Sequence, residues 1–260
     1  MSGQFSLDGR TILLTGAAGH LGRALAFGLA AAGAKVHLNG REHRKLSRLR
    51  AEIENAGGRA EAHPFNVTRE GDIDVYLELL RQQDQPLHGI VNNAYAHACD
   101  PAMAYRVDSY RESSAIVLGA ASYLVDAAAG LLEASGGAVV NVASMYGHVS
   151  PDPSIYSGSV AVNPPHYGAA KAGLLQLTRY LAVRYAERGV RVNSVSPGPF
   201  PSPAVQEASP DFITRLRAKV PMRRVGQPAE LVGPIVFLLS DASSYVTGCD
   251  LRVDGGWTAW

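Results

Sequence analysis

Three features of the sequence predict an α/β fold, a doubly wound parallel sheet of about seven strands with helices on both faces. Short continuous apolar runs recur along the chain, as in strands covered on both sides. Helical stretches separate them, which is the alternation that forces parallel pairing. The first run opens into a glycine-rich turn and a helix, the strand-turn-helix-strand unit of a nucleotide-binding crossover.

Thr11-Ile12-Leu13-Leu14 is the first strand, and the chain then turns through Thr15 to Gly22 into an apolar helix ending at Ala32. Gly33 closes that helix as a C-terminal cap, and Lys35-Val36-His37-Leu38-Asn39 is the second strand. Residues 59–65 read as the third, and 70–83 as an amphipathic helix with Ile73, Leu77 and Leu80 at helical spacing. Gly89 to Ala94 is a fourth strand with a polar exit, followed by a long helical region over 109–133. Ala138 to Val142 is the fifth strand, with Ser144 just past its carboxyl end, where parallel sheets bind ligands. Residues 148–165 read as a loop, and the helix that carries Tyr167 and Lys171 continues to about Glu187. Val190 to Val195 is the sixth strand, 229–239 a helix and Asp250 to Val253 the last strand. Between them, 196–210 holds five prolines and reads as long and irregular. Such a segment in a compact domain is a candidate lid, here spanning 196–220.

The chain of 260 residues is 47% hydrophobic and 18% charged, enough for one large core, and no repeat, linker or second domain interrupts it. Its formal net charge of +1 gives no bulk attraction to nucleic acid or an anionic membrane. Cys99 and Cys249, the two cysteines, stand far apart and outside any metal-like spacing. Neither a disulfide framework nor a metal site is expected, and a reducing compartment fits. The N-terminus lacks a basic-then-apolar leader, and the longest apolar stretch, 116–132, is broken by Asp126. A soluble, cytoplasmic protein is the expectation.

The turn places Gly16, Gly19 and Gly22 at a helix start, with His20 and Leu21 between them. Glycines let backbone approach an anion, and the free N–H groups attract it. The spacing departs from G-x-G-x-x-G, so a tight turn without ligand stays open. The second strand ends in Asn39-Gly40-Arg41, with no acidic residue before Glu42 to bind a ribose 2′-hydroxyl. Arg41 offers a planar cation for a 2′-phosphate, favouring NADP with NAD possible, or it merely opens the basic helix behind it. Tyr167 and Lys171 lie one turn apart on one helix face. A phenol with pKa about 10 needs help to move a proton at neutral pH, and a neighbouring ammonium would lower that pKa.

From end to end, roughly 7–256, the chain resembles the short-chain dehydrogenase/reductase family. The matching pieces are the Thr15-Gly16 loop, Asn92-Asn93-Ala94, Ser144, Tyr167-x-x-x-Lys171, Pro197-Gly198, Pro221-x-x-Arg224-x-Gly226-x-Pro228-x-Glu230 and Val253-Asp254-Gly255-Gly256. The resemblance implies a single Rossmann-like domain over 1–260 that interconverts a ketone or aldehyde with an alcohol. It implies Tyr167 as general acid or base, Lys171 as the group that lowers its pKa and holds the nicotinamide ribose, and Ser144 on the substrate oxygen. It further implies Asn66 and Val67 at the adenine, Asn93, Ala94 and Tyr95 along the middle of the cofactor, and Pro197, Phe200 and Ser202 at the nicotinamide amide. Family members pair through the helices here at about 105–133 and 166–187, which implies a homodimer or homotetramer.

Four departures accompany the resemblance. The loop glycine falls at Gly19 instead of at His20, which either contacts the phosphates or is tolerated at the rim. Tyr95 replaces a glycine. Ile116 stands where the family places an asparagine that relays protons through water, and it cannot hydrogen-bond. Either the relay is rerouted, turnover is modest, or the true equivalent is the nearby Ser113 or Ser114. Lastly, an insertion over 151–165 separates Ser144 from Tyr167, and Tyr146, His148, Tyr156 and His166 around it either line a polar substrate pocket or face solvent. Ser144 to Gly147 and the approach Asn163 to Tyr167 are similar to a subgroup linked with bacterial nonulosonic and amino-sugar pathways, pointing to a small polar or sugar-like substrate. The competing reading is a catalytically weak dinucleotide-binding protein with a regulatory or assembly role.

Overall fold

The structure, a computed structural model, describes residues 3–95, 104–156 and 160–260. Cys99 and residues 157–159 of the insertion lie outside the described residues. Seven strands form one parallel sheet: β1 (Thr11–Leu14), β2 (Lys35–Gly40), β3 (Arg59–Pro64), β4 (Gly89–Asn92), β5 (Ala138–Val142), β6 (Arg191–Pro197) and β7 (Asp250–Val253). Their spatial order is β3-β2-β1-β4-β5-β6-β7, every neighbouring pair parallel. The order reverses between β1 and β4, and a crevice opens at such a switch point beyond the strands' carboxyl ends.

Alternate strand residues feed two cores, as the period of two requires. Ile12, Leu14, Val36, Leu38 and Val140 pack with α1 (His20–Ala31), α2 (His43–Asn55) and α10 (Val232–Leu239). Leu13, Ile90, Val139 and Val192 face the other way, onto α3 (Glu70–Gln82), α5 (Ala120–Ala127), α6 (Ala129–Ser135) and α7 (Pro165–Tyr185). A buried polar ladder crosses that second layer. Asn92 donates to Asn141 Oδ1 at 2.8 Å, and Asn141 donates to Thr178 Oγ1 at 2.9 Å. It ties β4, β5 and α7 together beneath the crevice.

The continuous helix expected over 109–133 is instead segmented. α4 (Val107–Ser114) passes through a π-turn at Ala115–Gly119 into α5, and α6 turns off by 59° after Ala128. The bend lets α5 bury Leu124 and Val125 while α6 buries Ala129 and Leu132. The segment 196–210 is not irregular either. β6 continues through Pro197, α8 (Pro203–Ala208) follows, and α9 (Pro210–Lys219) comes next. Pro203 and Pro210 open these helices, where a missing N–H costs nothing. The helix expected at 229–239 begins as a 3-10 turn, Pro228–Leu231, before α10. Among the described residues no single helix is long and apolar enough to cross a membrane.

Candidate active site

The turn after β1 is shaped by two glycines that no other residue could replace. Gly16 has φ of +64°, and its α-hydrogen faces the backbone of Ala94. A β-carbon on Gly22 would drive into the Gly16 carbonyl oxygen. The turn is pinned to the exit of β4 through Thr15, whose Oγ1 accepts from Asn93 N and Ala94 N, both at 3.0 Å. Asn93 Nδ2 returns a bond to the Thr15 carbonyl at 3.0 Å. α1 then starts with no side-chain cap and no acidic residue in its first turn. Its leading N–H groups are left to an anion.

A cleft of about 920 Å³ runs from this turn across the switch point. Its walls include Gly16, Gly19, His20, Leu21, Gly22 and Arg41 at one end, and Asn66, Val67, Asn93, Ala94 and Tyr95 along the middle. Ser144, Tyr167, Lys171, Pro197 and Phe200 line the remainder. Ser202 stands apart from this wall: its hydroxyl accepts from Val205 N as the N-cap of α8. His20 and Arg41 are both exposed at the cleft edge. Glu42 is held by Lys45 at 2.6 Å and both also line the cleft, a pair the spacing alone did not single out.

Ser144, Tyr167 and Lys171 meet because α7 packs against β6 and against the 3-10 turn Met145–Gly147 that follows β5. Gly168 permits that approach, since a β-carbon there would sit 2.9 Å from the Tyr146 carbonyl oxygen. Ser144 is buried, and its Oγ accepts from Tyr146 N at 3.1 Å. Lys171 is buried too and donates from Nζ to the Val142 carbonyl at 2.5 Å. Its Nζ lies 5.8 Å from the ring centres of both Tyr167 and Tyr95, whose rings meet edge to face at 4.9 Å. The electrostatics differ from the sequence expectation. Burial pushes the Tyr167 phenol up, with the Ser144 hydroxyl pulling the other way, and burial lowers Lys171 to about 8. Lys171 gives one of its three N–H groups to the Val142 carbonyl, and burial, the largest influence on the phenol, outweighs what a nearby ammonium would do.

Ile116 lies in the π-turn and lines the cleft, while the two serines near it do not. Ser113 Oγ pairs with His166 Nδ1 at 2.6 Å, and Ser114 is exposed. The insertion contributes Tyr156 and residues 160–164 to the wall. The Tyr146 and Tyr156 hydroxyls bond at 2.5 Å, and Asn163 Oδ1 is buried with no hydrogen-bond partner among the described residues. His148 and His166, expected beside them, lie elsewhere. His148 bonds Asp250 Oδ2 at 2.9 Å, and His166 is buried against α4. Val205, Phe212 and Leu216 of α8 and α9 complete the wall. The Arg224–Glu230 fork, at 2.6 and 2.7 Å, and the Gln227 N–H on Glu230 at 2.8 Å shape the loop whose Gly226 packs on the Phe200 ring.

A sheet of this order, with a glycine turn at its switch point and Ser, Tyr and Lys in one cleft, defines an α/β dinucleotide-binding oxidoreductase. A family model described as enoyl-(acyl carrier protein) reductase matches residues 16–258. The chain belongs to the short-chain dehydrogenase/reductase family. It is 33% identical over 260 residues to 5-keto-D-gluconate 5-reductase of Escherichia coli, covering 98% of each chain. Among solved structures it is similar to a protein of Beutenbergia cavernae described as an NAD(P)-dependent gluconate 5-dehydrogenase with bound NADP (TM-score 0.85, 36% identity, 99% and 100% coverage). It is also similar to a gluconate 5-dehydrogenase of Burkholderia cenocepacia in complex with NADP and tartrate (TM-score 0.87, 29% identity, 99% and 98% coverage).

Proposed function

We propose that this chain is an NADP(H)-dependent oxidoreductase that interconverts a ketone or aldehyde and an alcohol on a small, polar or sugar-like substrate. The observation that carries the reading is the convergence of Ser144, Tyr167 and Lys171 in the same cleft as the glycine turn. The cradle at Gly16 and Gly22, the uncapped start of α1 and exposed Arg41 fit a dinucleotide with a 2′-phosphate. When bound, the cofactor supplies or accepts a hydride at the substrate carbon. Tyr167 then gives its proton to the carbonyl oxygen, which Ser144 holds by its hydroxyl. Burial keeps the phenol protonated, as a donor must be. Lys171, one turn on, stabilises the phenolate left behind and takes the ribose in place of the Val142 carbonyl. Tyr146, Tyr156 and the unpartnered Asn163 Oδ1 give the substrate end hydrogen-bonding groups for hydroxyls. In the same reading α8 and α9 act as the lid over 196–220. The protein works in the cytoplasm as a dimer or tetramer, and exposed Val107 and Tyr110 on α4 with Tyr180 and Val183 on α7 support the pairing surface.

Ile116 in the cleft wall favours a second reading, a dinucleotide-binding protein of low activity. One assay separates the two. NADPH oxidation is followed over a panel of neutral and carboxylated hydroxyketones that includes 5-keto-D-gluconate. A reductase turns over at least one of them at more than about 1 per second, an ordinary rate for enzymes. NADPH binding without turnover across the panel would favour the second reading.

A further inference from the structure

The parallel register of β2 and β3 sets Glu61 beside His37 and His63 beside Asn39. Three side chains with donor lone pairs therefore share one sheet face, away from the catalytic cleft. Glu61 Oε2 lies 3.5 Å from His37 Nε2 and 3.5 Å from His63 Nε2. All three atoms fall within 4.8 Å of one another. His37 is fully buried, and the Nε2 atoms of both rings are buried with no hydrogen-bond partner among the described residues. Two such nitrogens converging on one carboxylate oxygen call for an explanation, since buried polar atoms are normally paired.

We propose that His37, Glu61 and His63 bind one divalent transition-metal ion, zinc being the best fit, with water as fourth ligand. Tetrahedral zinc with bonds near 2.0–2.2 Å sets its ligand atoms roughly 3.3–3.5 Å apart. The two carboxylate-to-imidazole distances already match that edge. The outer shell is in place as well. His37 Nδ1 lies 2.9 Å from the buried Tyr76 hydroxyl, and the tautomer that donates Nδ1–H there leaves the Nε2 lone pair aimed at Glu61. Lys35 binds Glu61 through Oε1 at 2.6 Å, leaving Oε2 for the ion. β3 is an edge strand and Glu61 is partly exposed, so an ion has a route in. The metal would clip β2 to β3. Asn39 Nδ2 also donates to the carbonyls of His63 and Phe65, at 3.2 and 3.1 Å, so the clip steadies the strand end that leads to Asn66 and Val67.

The test uses the full chain without an affinity tag, stripped with EDTA and dialysed against zinc alone, with metal measured by elemental analysis. One zinc per chain is expected, together with a rise in Tm of about 2–4 °C or more at saturation. Cobalt in its place gives the strong visible bands of four-coordinate geometry. E61Q and H63Q each weaken zinc by more than about 100-fold, since even outer-shell losses cost about 10–100-fold. H43Q, on the exposed start of α2, leaves it unchanged. Should H63Q fail to fold, Tyr76→Phe serves instead and weakens zinc about tenfold. No retained zinc, or equal affinity in wild type and E61Q, overturns the site.

Discussion

At the scale of single residues, charge placement sets the cofactor choice. Arg41 is exposed at the cleft edge just past β2, and Glu42, the nearest carboxylate, is tied to Lys45. A fork of N–H donors fits a phosphate better than a neutral ribose. Arg41→Ala is therefore expected to raise KM for NADPH by about tenfold or more, the worth of one charge-assisted bond, and to leave NADH within about twofold. Steady-state kinetics with both cofactors check this, and equal effects on both would remove Arg41 from the 2′-phosphate site. That Ser144, Tyr167 and Lys171 would share one cleft was legible in sequence, because a strand's carboxyl end and one helix face are positions that folding keeps. Ser202, His148 and His166 were not. Each found a local partner, a helix N-cap, Asp250 or Ser113, that only the folded chain supplies.

At the scale of elements, the turn between β1 and α1 depends on missing side chains. Gly22→Ala would force a methyl into the Gly16 carbonyl and within 3.0 Å of the Ala17 backbone, and neither can yield. Overpacking of this kind costs about 1–3 kcal/mol, or roughly 2–10 °C in Tm at this size. NADPH affinity, followed by fluorescence titration, should fall at least about tenfold as the cradle distorts. A variant that melts and binds like wild type would show that the turn is not the anion site. The strands were readable because apolar runs bounded by glycine have few other uses. The breaks at Ala128 and in the π-turn were not, since apolar residues run through both without a proline or a cap residue to mark them. Pro203 and Pro210 misled in the opposite sense: proline both ends and begins helices, and the choice depends on what the next turn packs against.

At the scale of the whole molecule, one sheet separates two cores, and Ser144, Tyr167 and Lys171 line the cleft at its switch point. That arrangement has a stability consequence. Burial lowers Lys171 to about 8, while an unfolded lysine titrates near 10.4. Between these values the unfolded chain binds more protons, so this residue's contribution to stability rises with pH across roughly pH 8 to 10. Below pH 8 both states are protonated and the contribution is flat. Denaturant unfolding should show the ligand-free protein gaining up to about 1 kcal/mol per pH unit over Lys171→Met in that window. Parallel curves would mean the ammonium is hydrated. The parallel sheet and a ligand site at the strands' carboxyl ends followed from the sequence pattern, whereas the strand order is seen only in the folded chain. The pairing of His37 with Glu61 did not, because it arises from register between two strands that no linear spacing records.

The central claim is that the Tyr167 phenol moves the proton while the rest of the cleft merely holds cofactor and substrate. Tyr167→Phe removes one oxygen and keeps the ring against Tyr95. Measured on one preparation, turnover with the best ketone should fall by at least about 1,000-fold, within the range for a lost acid catalyst and its hydrogen bond. NADPH should still bind with Kd within about threefold of wild type. Turnover within tenfold of wild type, with the same Kd, would contradict the account.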